Sequence, residues 1–233
     1  MFMGGKEKIA AHIVQVIQQH AGDATRYLEP FMGGASIASR AARLFPAATL
    51  ADVDPDLVTL WSAARDGWVP PTSLSRAEYA AVRAEPDPSP LRGFAAYGCS
   101  FGGKRWGGYA SDGKGRDYVG QARRGVLAKA AGLAGSTIVR ANYTDHAPGA
   151  GWVAYCDPPY AGTTPYVGAP AWDAARFWQT MDAWADAGAV VLVSEYTAPD
   201  HWQAVWERQK QMALGRYTSD RVAVERVFIR ASR

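Results

Sequence analysis

The stretch of this chain best suited to chemistry is Asp157-Pro158-Pro159-Tyr160, which combines a carboxylate, two prolines and an aromatic ring. Each proline fixes its own φ and keeps the residue before it out of the helical region, so the carboxylate and the adjacent carbonyls stand on a stiff backbone. A fixed carboxylate followed by a planar ring can grip a flat, polar molecule. The same four residues also fit an ordinary Pro-Pro turn with a solvated aspartate and a packed tyrosine.

The residues before this tetrapeptide predict a buried strand. Residues 151–156 (Gly-Trp-Val-Ala-Tyr-Cys) are apolar, include β-branched and aromatic side chains, and stop at the two prolines. In an open α/β sheet, ligands bind beyond the carboxyl ends of the strands. Asp157 is therefore predicted to stand at a sheet edge where a ligand site can form.

A glycine turn is the second candidate ligand site. Residues 27–31 predict a short strand, and residues 32–36 (Met-Gly-Gly-Ala-Ser) follow it. A helix is predicted next, with one apolar face made of Ile37, Ala41, Leu44 and Phe45. Glycine lets the backbone approach a ligand closely, and Ser36 can cap the helix, whose first N–H groups favour polar or anionic groups. Many loops contain Gly-Gly, so this turn alone does not define a ligand.

Asp52 stands where a nucleoside-binding protein holds ribose. Residues 47–52 predict a second strand, and a helix with Leu57, Leu60 and Trp61 follows Asp54-Pro55. A carboxylate about 20 residues after a glycine turn, at the end of the adjacent strand, is the arrangement that captures ribose hydroxyls. Asp54 is interpreted as the N-cap of the helix, which is also the alternative interpretation of Asp52.

The amino-acid composition of the chain changes between residues 67 and 135. Prolines break the first part, and a passage rich in glycine, aromatic and basic residues follows before helical spacing returns at about 118–133. The basic residues are Arg92, Lys104, Arg105, Lys114, Arg116, Arg123, Arg124 and Lys129. Cations interleaved with aromatic rings suit a surface that neutralises phosphates and stacks on bases. The alternative is an aromatic core under a solvated basic face.

The other apolar patterns complete an α/β protein. Ile9, Ile13, Val16 and Ile17 lie at helical spacing and predict a first helix that ends near Gly22. Further strands are predicted at 137–143, 189–193 and 222–229, and a further helix at 177–187.

Composition excludes several classes of protein. With 233 residues, 48% hydrophobic and 20% charged, the chain can bury a substantial core, so disorder is not expected for most of it. No apolar run reaches the ~18 residues of a membrane span, and we expect a cytoplasmic protein. The two cysteines and four histidines lack metal-ligand spacing, so no structural zinc and no disulfide are expected. The net charge of +3 does not by itself indicate a polyanionic partner.

Taken in order, these motifs resemble those of the Dam-type (D12 class) DNA adenine-N6 methyltransferases. They are Gly5-Lys6, residues 29–36 (Glu-Pro-Phe-Met-Gly-Gly-Ala-Ser), residues 50–54 (Leu-Ala-Asp-Val-Asp), residues 157–160 with Tyr166, and residues 193–196 (Val-Ser-Glu-Tyr). The resemblance covers nearly the whole chain. It implies a Rossmann-like S-adenosylmethionine-dependent methyltransferase sheet formed by residues 1–66 and 136–233. Residues 67–135 would be an inserted, mostly helical and loop-rich target-recognition region.

The resemblance implies S-adenosylmethionine as cofactor. The residues at the family's cofactor positions are Lys6, Glu29, Pro30, Phe31, Gly33, Gly34, Ala35, Ser36, Asp52, Asn142, Tyr143 and Asp157. Asp52 would hold the ribose hydroxyls, and Lys6 would lie near the cofactor or the target base. Two positions depart from the family pattern, because Ala35 stands where a third glycine is common and Asn142 where an aspartate is usual. An asparagine can still donate to and accept from adenine.

The implied reaction is methyl transfer to the exocyclic N6 of adenine in a specific double-stranded DNA sequence, by base flipping and direct displacement. The catalytic residues would be Asp157, Pro158, Pro159 and Tyr160. The expected DNA contacts are Lys104, Arg105, Arg116, Tyr109 and Tyr166. This chemistry needs neither a metal nor a covalent enzyme intermediate.

Rival functions stay open at the sequence level. Cytosine-N4 methyltransferases usually carry serine where this chain has Asp157, and protein-glutamine enzymes usually carry asparagine. A catalytically silent DNA-binding module with the same fold is a second class. A nucleotide-dependent dehydrogenase is a third, although the glycine turn lacks the full GxGxxG spacing.

Overall fold

The computed structural model describes residues 6–159, 172–214 and 217–230 of the chain. The predicted sites Tyr160 and Tyr166 lie outside these residues. The strands are β1 (Arg26–Glu29), β2 (Ala47–Asp52), β3 (Thr137–Arg140), β4 (Trp152–Cys156), β5 (Val190–Glu195), β6 (Trp202–Leu214) and β7 (Tyr217–Arg230). The α-helices are α1 (Ala10–His20), α2 (Ala38–Ala41), α3 (Pro55–Arg65), α4 (Arg76–Ala84), α5 (Pro90–Gly93), α6 (Tyr118–Ala130) and α7 (Ala174–Asp186).

The seven strands of the described residues form one sheet in the order β3-β2-β1-β4-β5-β7-β6. Strands β1 to β5 pair in parallel, whereas β7 runs antiparallel to both β5 and β6. A parallel sheet with this order and an antiparallel β7 hairpin is the class I S-adenosylmethionine-dependent methyltransferase fold. The predicted fold class is therefore confirmed.

Alternate residues of a strand point to opposite sides of the sheet, and a buried core covers each side. Tyr27 of β1 packs into a core formed with residues of α1, α3 and α6, whereas its neighbour Leu28 packs into a second core formed with α7. The first residues of α1 pack into the first core, and the last residues of β4 pack alternately into the first and the second core.

Several sequence predictions match the structure residue by residue. Strand β2 has the predicted bounds, and α1 buries the predicted Ile13, Val16 and Ile17. Asp54 caps α3 by accepting a hydrogen bond from the Asp56 N–H at 2.8 Å, with Pro55 at the first helical position. Local caps and periodicity are sufficient to define these elements.

The helix predicted after the glycine turn is wrong in extent. It is a single α-helical turn, α2, followed by a 3-10 turn at 42–44, and Leu44 is 40% exposed. Ser36 does not cap it, because the N-cap residue is Ile37 and makes no side-chain cap bond. The Ser36 hydroxyl instead accepts from the Lys129 ammonium at 3.0 Å, and a charged donor binds it more strongly than a backbone N–H.

Two strand predictions also needed correction. The strand predicted at 137–143 ends at Arg140, and Tyr143 lies in a following 3-10 turn. Strand β6 was not predicted. It pairs with β7 at the edge of the sheet, and the exposed, charged residues along it remove the apolar alternation that marks a strand.

The region between α3 and β3 packs directly on the sheet-covering helices. Phe94 and Tyr97 of a short π-helical turn at 94–98 are buried in the same core as Leu60 and Trp61 of α3. Gly93 shows how close the contact is, since a Cβ there would lie 2.2 Å from the Asp56 carbonyl oxygen. Phe94 and Tyr97 therefore belong to the main core, whereas Phe101 of the same region is 65% exposed.

Candidate active site

The candidate site lies at the carboxyl ends of the parallel strands. Strand β4 is hydrogen-bonded to β1 on one side and to β5 on the other, and β2 lies next to β1. Glu29 ends β1, Asp52 ends β2 and Asp157 follows β4. The sheet thus brings together three carboxyl groups that are far apart in sequence.

Asp157 forms an ion pair with Lys6, whose Nζ lies 3.1 Å from Asp157 Oδ1. The same Nζ lies 2.5 Å from Oε1 of Glu225 on β7. Burial of Lys6 favours loss of its proton, but the charges of Asp157 and Glu225 outweigh burial and raise its pKa above the ordinary value. Lys6 is therefore a buried cation shared by two carboxylates. Its predicted position near the cofactor or the target base stays a prediction.

Glu29 is nearly inaccessible and carries its proton at neutral pH. Glu29 is only 2% exposed, and its carboxyl group accepts a hydrogen bond from the Tyr27 hydroxyl at 2.7 Å. The pKa of Glu29 is raised to about 8, mainly by burial and also by the charge of Asp157. Hydrogen bonds from the Tyr27 hydroxyl and the Ala38 N–H lower the pKa and limit the rise. Its predicted contact with the cofactor stays a prediction.

Three side chains hold the glycine turn in place. Asp52 Oδ2 accepts from the Gly33 N–H at 2.9 Å, Trp61 Nε1 donates to the Gly33 carbonyl at 2.9 Å, and Lys129 Nζ donates to the Gly34 carbonyl at 2.6 Å. Gly33 has a φ of 44°, which a side chain would strain. Ala35, at the position where the family often has glycine, is buried with a φ of 52°. The backbone N–H and C=O groups of the turn are thus preorganised.

Asp52 is a hydrogen-bond acceptor at the end of β2. Its two oxygens receive the N–H groups of Gly33 and Asp54, each at 2.9 Å. Burial raises its pKa to about 6, and these two N–H groups limit the rise. Because each carboxylate oxygen has two lone pairs, an ionised Asp52 can still accept two hydroxyl groups.

An aromatic cluster lies beside the turn. The ring of Phe31 stacks on Tyr143 with centroids 5.5 Å apart and contacts Trp172 and Phe177 at 6.0 Å each. Asn142 caps the turn that contains Tyr143, accepting from the Thr144 N–H at 3.1 Å, and its side chain is exposed. The structure thus brings Phe31, Asn142 and Tyr143 together on the β1 and β3 side of the site.

The predicted DNA-contacting residues separate into two groups. Lys104 and Arg116 are exposed, and Arg116 and Tyr109 line an open cleft of about 250 Å³ between residues 72–74 and 109–119. Arg105 instead pairs with Asp56 at 2.7 Å and with Asp54 at 3.0 Å. The residues that line the cleft lie between α3 and β3 and do not include Asp157, so the cleft is a separate feature from the carboxylate cluster.

The donor set fits S-adenosylmethionine. Asp52 offers a carboxylate to ribose hydroxyls, and the turn at 32–36 offers small residues and fixed backbone groups to the methionine part. Phe31 and Tyr143 supply apolar aromatic surface beside the turn. Among the described residues no group of His, Cys, Asp or Glu side chains is arranged to hold a metal ion.

Sequence reasoning did not find Glu225, Lys129 or Trp61. Glu225 had a usable signal, since it lies two residues before the buried Val227 in an alternating strand and so occupies a core-facing position. Lys129 and Trp61 had none, because they belong to ordinary helical patterns and reach the glycine turn only through the folding of α6 and α3.

Comparisons with known proteins are consistent with the geometry. Residues 2–78 match the sequence model of the family described as D12 class N6 adenine-specific DNA methyltransferase, which confirms the resemblance to that class. No curated protein sequence matches the chain. None of the helices in the described ranges is long and apolar enough to span a membrane.

Solved structures of two methyltransferases superpose weakly. A precorrin-6y C5,15-methyltransferase from Geobacter metallireducens GS-15 is 12% identical, with a TM-score of 0.44 over 98% of this chain and 90% of that chain. The 23S rRNA methyltransferase ErmE is 11% identical, with a TM-score of 0.42 over 99% of this chain and 70% of that chain. The strand order, together with the family match, indicates an S-adenosylmethionine-dependent methyltransferase.

Proposed function

We propose that this chain transfers a methyl group from S-adenosylmethionine to the exocyclic N6 of adenine in a specific double-stranded DNA sequence. The observation that carries the proposal is the position of Asp157-Pro158 at the end of β4, next to β1 and its glycine turn. The match of residues 2–78 to an adenine-specific family supports the choice of base.

Asp157 and Pro158 would activate the target amine. The lone pair of the adenine amine is delocalised into the ring, so the nitrogen is a poor nucleophile. A carboxylate from Asp157 and a carbonyl from Pro158 that both accept its hydrogens raise its electron density and orient its lone pair. The two prolines keep these acceptors from moving with the chain.

The target base must leave the duplex to reach Asp157. Extrusion costs a few kcal/mol, and stacking on an aromatic ring offsets part of that cost. Tyr160, which lies outside the described residues, is assigned this stacking role. The exposed cations Lys104 and Arg116 are assigned to the DNA backbone. Contact of Arg105 and Tyr166 with DNA remains a prediction.

The bound cofactor supplies a methyl group on a positively charged sulfonium. Asp52 would hold the ribose hydroxyls, and the turn at 32–36 would hold the methionine part near Asp157. The residues then do the work of positioning, since in-line displacement needs the amine and the methyl carbon close and aligned. The proton of the amine leaves after transfer, and Asp157 lies where it can receive it.

Labelled-methyl transfer to duplex DNA, followed by nucleoside analysis, tests this proposal. A library of duplexes of varied sequence is needed, and label in N6-methyladenine is the expected result. Label in N4-methylcytosine would replace adenine by cytosine as the substrate. Cofactor binding without transfer to any duplex would indicate a catalytically silent DNA-binding module.

The variant Asp157→Ala tests the assigned role. We expect the rate of transfer to fall by about 10²–10⁴-fold, the range typical of a positioned acid or base, while cofactor binding measured by calorimetry persists. Asp66→Ala, which removes a 63% exposed side chain at the end of α3, is the matched control and should keep the wild-type rate. Near-normal turnover by Asp157→Ala would remove Asp157 from the mechanism.

A further inference from the structure

Glu225 is a buried carboxylate with no part in the reaction as described so far. It lies on β7, is 9% exposed, and faces the same side of that strand as Val227. Val227 belongs to the core that contains Tyr155 and Leu192. A carboxylate at such a position is unfavourable unless it is paired, and its partner is Lys6.

Lys6 joins Glu225 to Asp157. Its ammonium is 2.5 Å from Glu225 and 3.1 Å from Asp157, so Glu225 is the nearer of the two anions. The backbone at Lys6 is also fixed, because its carbonyl accepts the Ile9 N–H at 2.9 Å as the chain enters α1. Two carboxylates from different strands therefore share one cation that has little freedom to move.

We propose that Glu225 is a positioning residue that anchors the Lys6 ammonium at a fixed place beside Asp157, and so keeps that carboxylate oriented toward the target amine. The catalytic consequence rests on the proposed function. The ion triad, which consists of Lys6, Asp157 and Glu225, is observed in the structure whatever the reaction is.

Removing the Glu225 charge would change how Lys6 acts on Asp157. Burial favours the neutral amine, and without the Glu225 charge less opposes burial, so Lys6 loses its proton at lower pH. Where the proton stays, Glu225 no longer draws the ammonium away from Asp157, and the ammonium competes more strongly with the target amine for the Asp157 oxygens. Both effects slow methyl transfer.

Other titratable groups face the triad and must be separated from Lys6. They are Glu29 on β1, Tyr155 and Cys156 on β4, and Tyr196 directly after β5. The pKa values of Tyr155 and Tyr196 are raised by burial, and those of both are raised further by the nearby carboxylates. A direct observation of the Lys6 nitrogen avoids these groups.

Nitrogen NMR of lysine-labelled protein gives that observation, with Lys6→Arg used to assign the signal. In the wild type, the Lys6 Nζ should stay protonated through about pH 10, above which ordinary lysines titrate. In Glu225→Gln we expect its titration to move down by about one pH unit or more. Glu207→Gln, which neutralises a 65% exposed glutamate on β6, is the control and should leave Lys6 unchanged.

Transfer kinetics test the catalytic part. Glu225→Gln should lower kcat by about 10-fold or more, with cofactor affinity retained, and its activity should begin to decline at a lower pH than that of the wild type as the pH is raised. A Glu225→Gln enzyme with the kcat and pH profile of Glu207→Gln would overturn the proposal.

A second variant covers the case in which Glu225→Gln does not fold. Glu225→Asp keeps the charge and shortens the side chain, so it should fold and still lose about 10-fold in kcat, because the ammonium is no longer held at the same place. A wild-type kcat in Glu225→Asp would overturn the proposal. If the wild-type protein methylates no DNA, the proposed function fails, and the NMR titration still decides whether Glu225 holds the Lys6 proton.

Discussion

The carboxyl groups around the candidate site differ in charge because each has different neighbours. Glu29 is buried and, with a pKa of about 8, is neutral at pH 7, so it acts as a structural hydrogen-bonding group beside Tyr27. Asp52, with a pKa of about 6, is mostly ionised at the same pH and can accept hydroxyl groups. Burial thus gives two residues of neighbouring strands opposite properties.

Cofactor affinity should depend on the ionisation of Asp52. Below its pKa of about 6 the carboxyl is protonated and loses acceptor capacity, so the Kd for S-adenosylmethionine should rise as pH falls from 7.5 to 5. Calorimetry over this range measures the effect. Asp52→Asn should weaken binding by about 10-fold or more at pH 7.5 and flatten the pH dependence. A wild-type Kd that is constant over the range would contradict the role assigned to Asp52.

Protein stability should depend on the ionisation of Glu29. Its folded-state pKa of about 8 is above its ordinary value of 4.5. Its contribution is therefore fully present below about pH 4.5, and it is lost as pH rises toward 8, because the unfolded chain releases the proton first. We expect this loss to be on the order of 3 kcal/mol in the free energy of unfolding.

Urea unfolding at several pH values between 5 and 8 measures that loss. Glu29→Gln, which cannot ionise, should show a shallower decline of stability with pH than the wild type. Glu85→Gln, at an exposed position after α4, serves as the control and should follow the wild-type curve. Equal slopes for the wild type and Glu29→Gln would show that Glu29 is ionised in the folded protein.

At the scale of elements, the start of α3 joins the sheet to the region between α3 and β3. Asp54 donates its N–H to Asp52 and accepts from the Tyr97 hydroxyl at 2.5 Å. Asp56, which is 1% exposed, pairs with Arg92 at 3.0 Å and with Arg105 at 2.7 Å. The first turn of α3 therefore holds both the loop around Asp52 and the basic region that follows.

The contact between α5 and α3 should tolerate no added side chain at Gly93. A Cβ there would lie 2.2 Å from the Asp56 carbonyl oxygen and 2.8 Å from Leu60 Cβ, so Gly93→Ala should cost about 1–3 kcal/mol in the free energy of unfolding. Gly125→Ala is the matched control in α6, where a Cβ meets nothing within 4 Å. It should be neutral or stabilising by up to about 1 kcal/mol. Urea unfolding of both variants distinguishes close packing from helix propensity.

At the scale of the whole molecule, the region between α3 and β3 has both packed aromatic residues and exposed basic residues. Phe94 and Tyr97 are buried against α3, whereas Lys104 and Arg116 are exposed. Both alternatives considered for its sequence are thus present in one region, an aromatic core and a basic surface. Only the exposed cations are available to a phosphate backbone without breaking an ion pair within the protein.

DNA affinity should therefore depend on Lys104 and Arg116. The double variant Lys104→Ala/Arg116→Ala should weaken binding and reduce the slope of log K against log salt by about 2, because each phosphate contact contributes about 0.9. Arg26→Ala/Arg43→Ala removes the same number of positive charges near the amino ends of β1 and β2, which lie opposite the strand ends that carry Asp52 and Asp157. This control should change the slope little. Fluorescence anisotropy at several salt concentrations measures both. An unchanged slope in the first variant would assign another role to this basic surface.

The sequence alone determined the parts of this protein that depend on local pattern. The bounds of β2, the carboxyl end of β4, the Asp54 cap and the order of the motifs follow from periodicity, capping residues and prolines close together in the chain. Tertiary structure alone decided which charges meet. Lys6 and Glu225 are 219 positions apart, and Arg105 reaches Asp56 across 49, so no local pattern records either pair. The Lys6–Glu225 contact exists because the sheet order places β7 beside β5. The Arg105–Asp56 contact exists because the basic region packs onto α3.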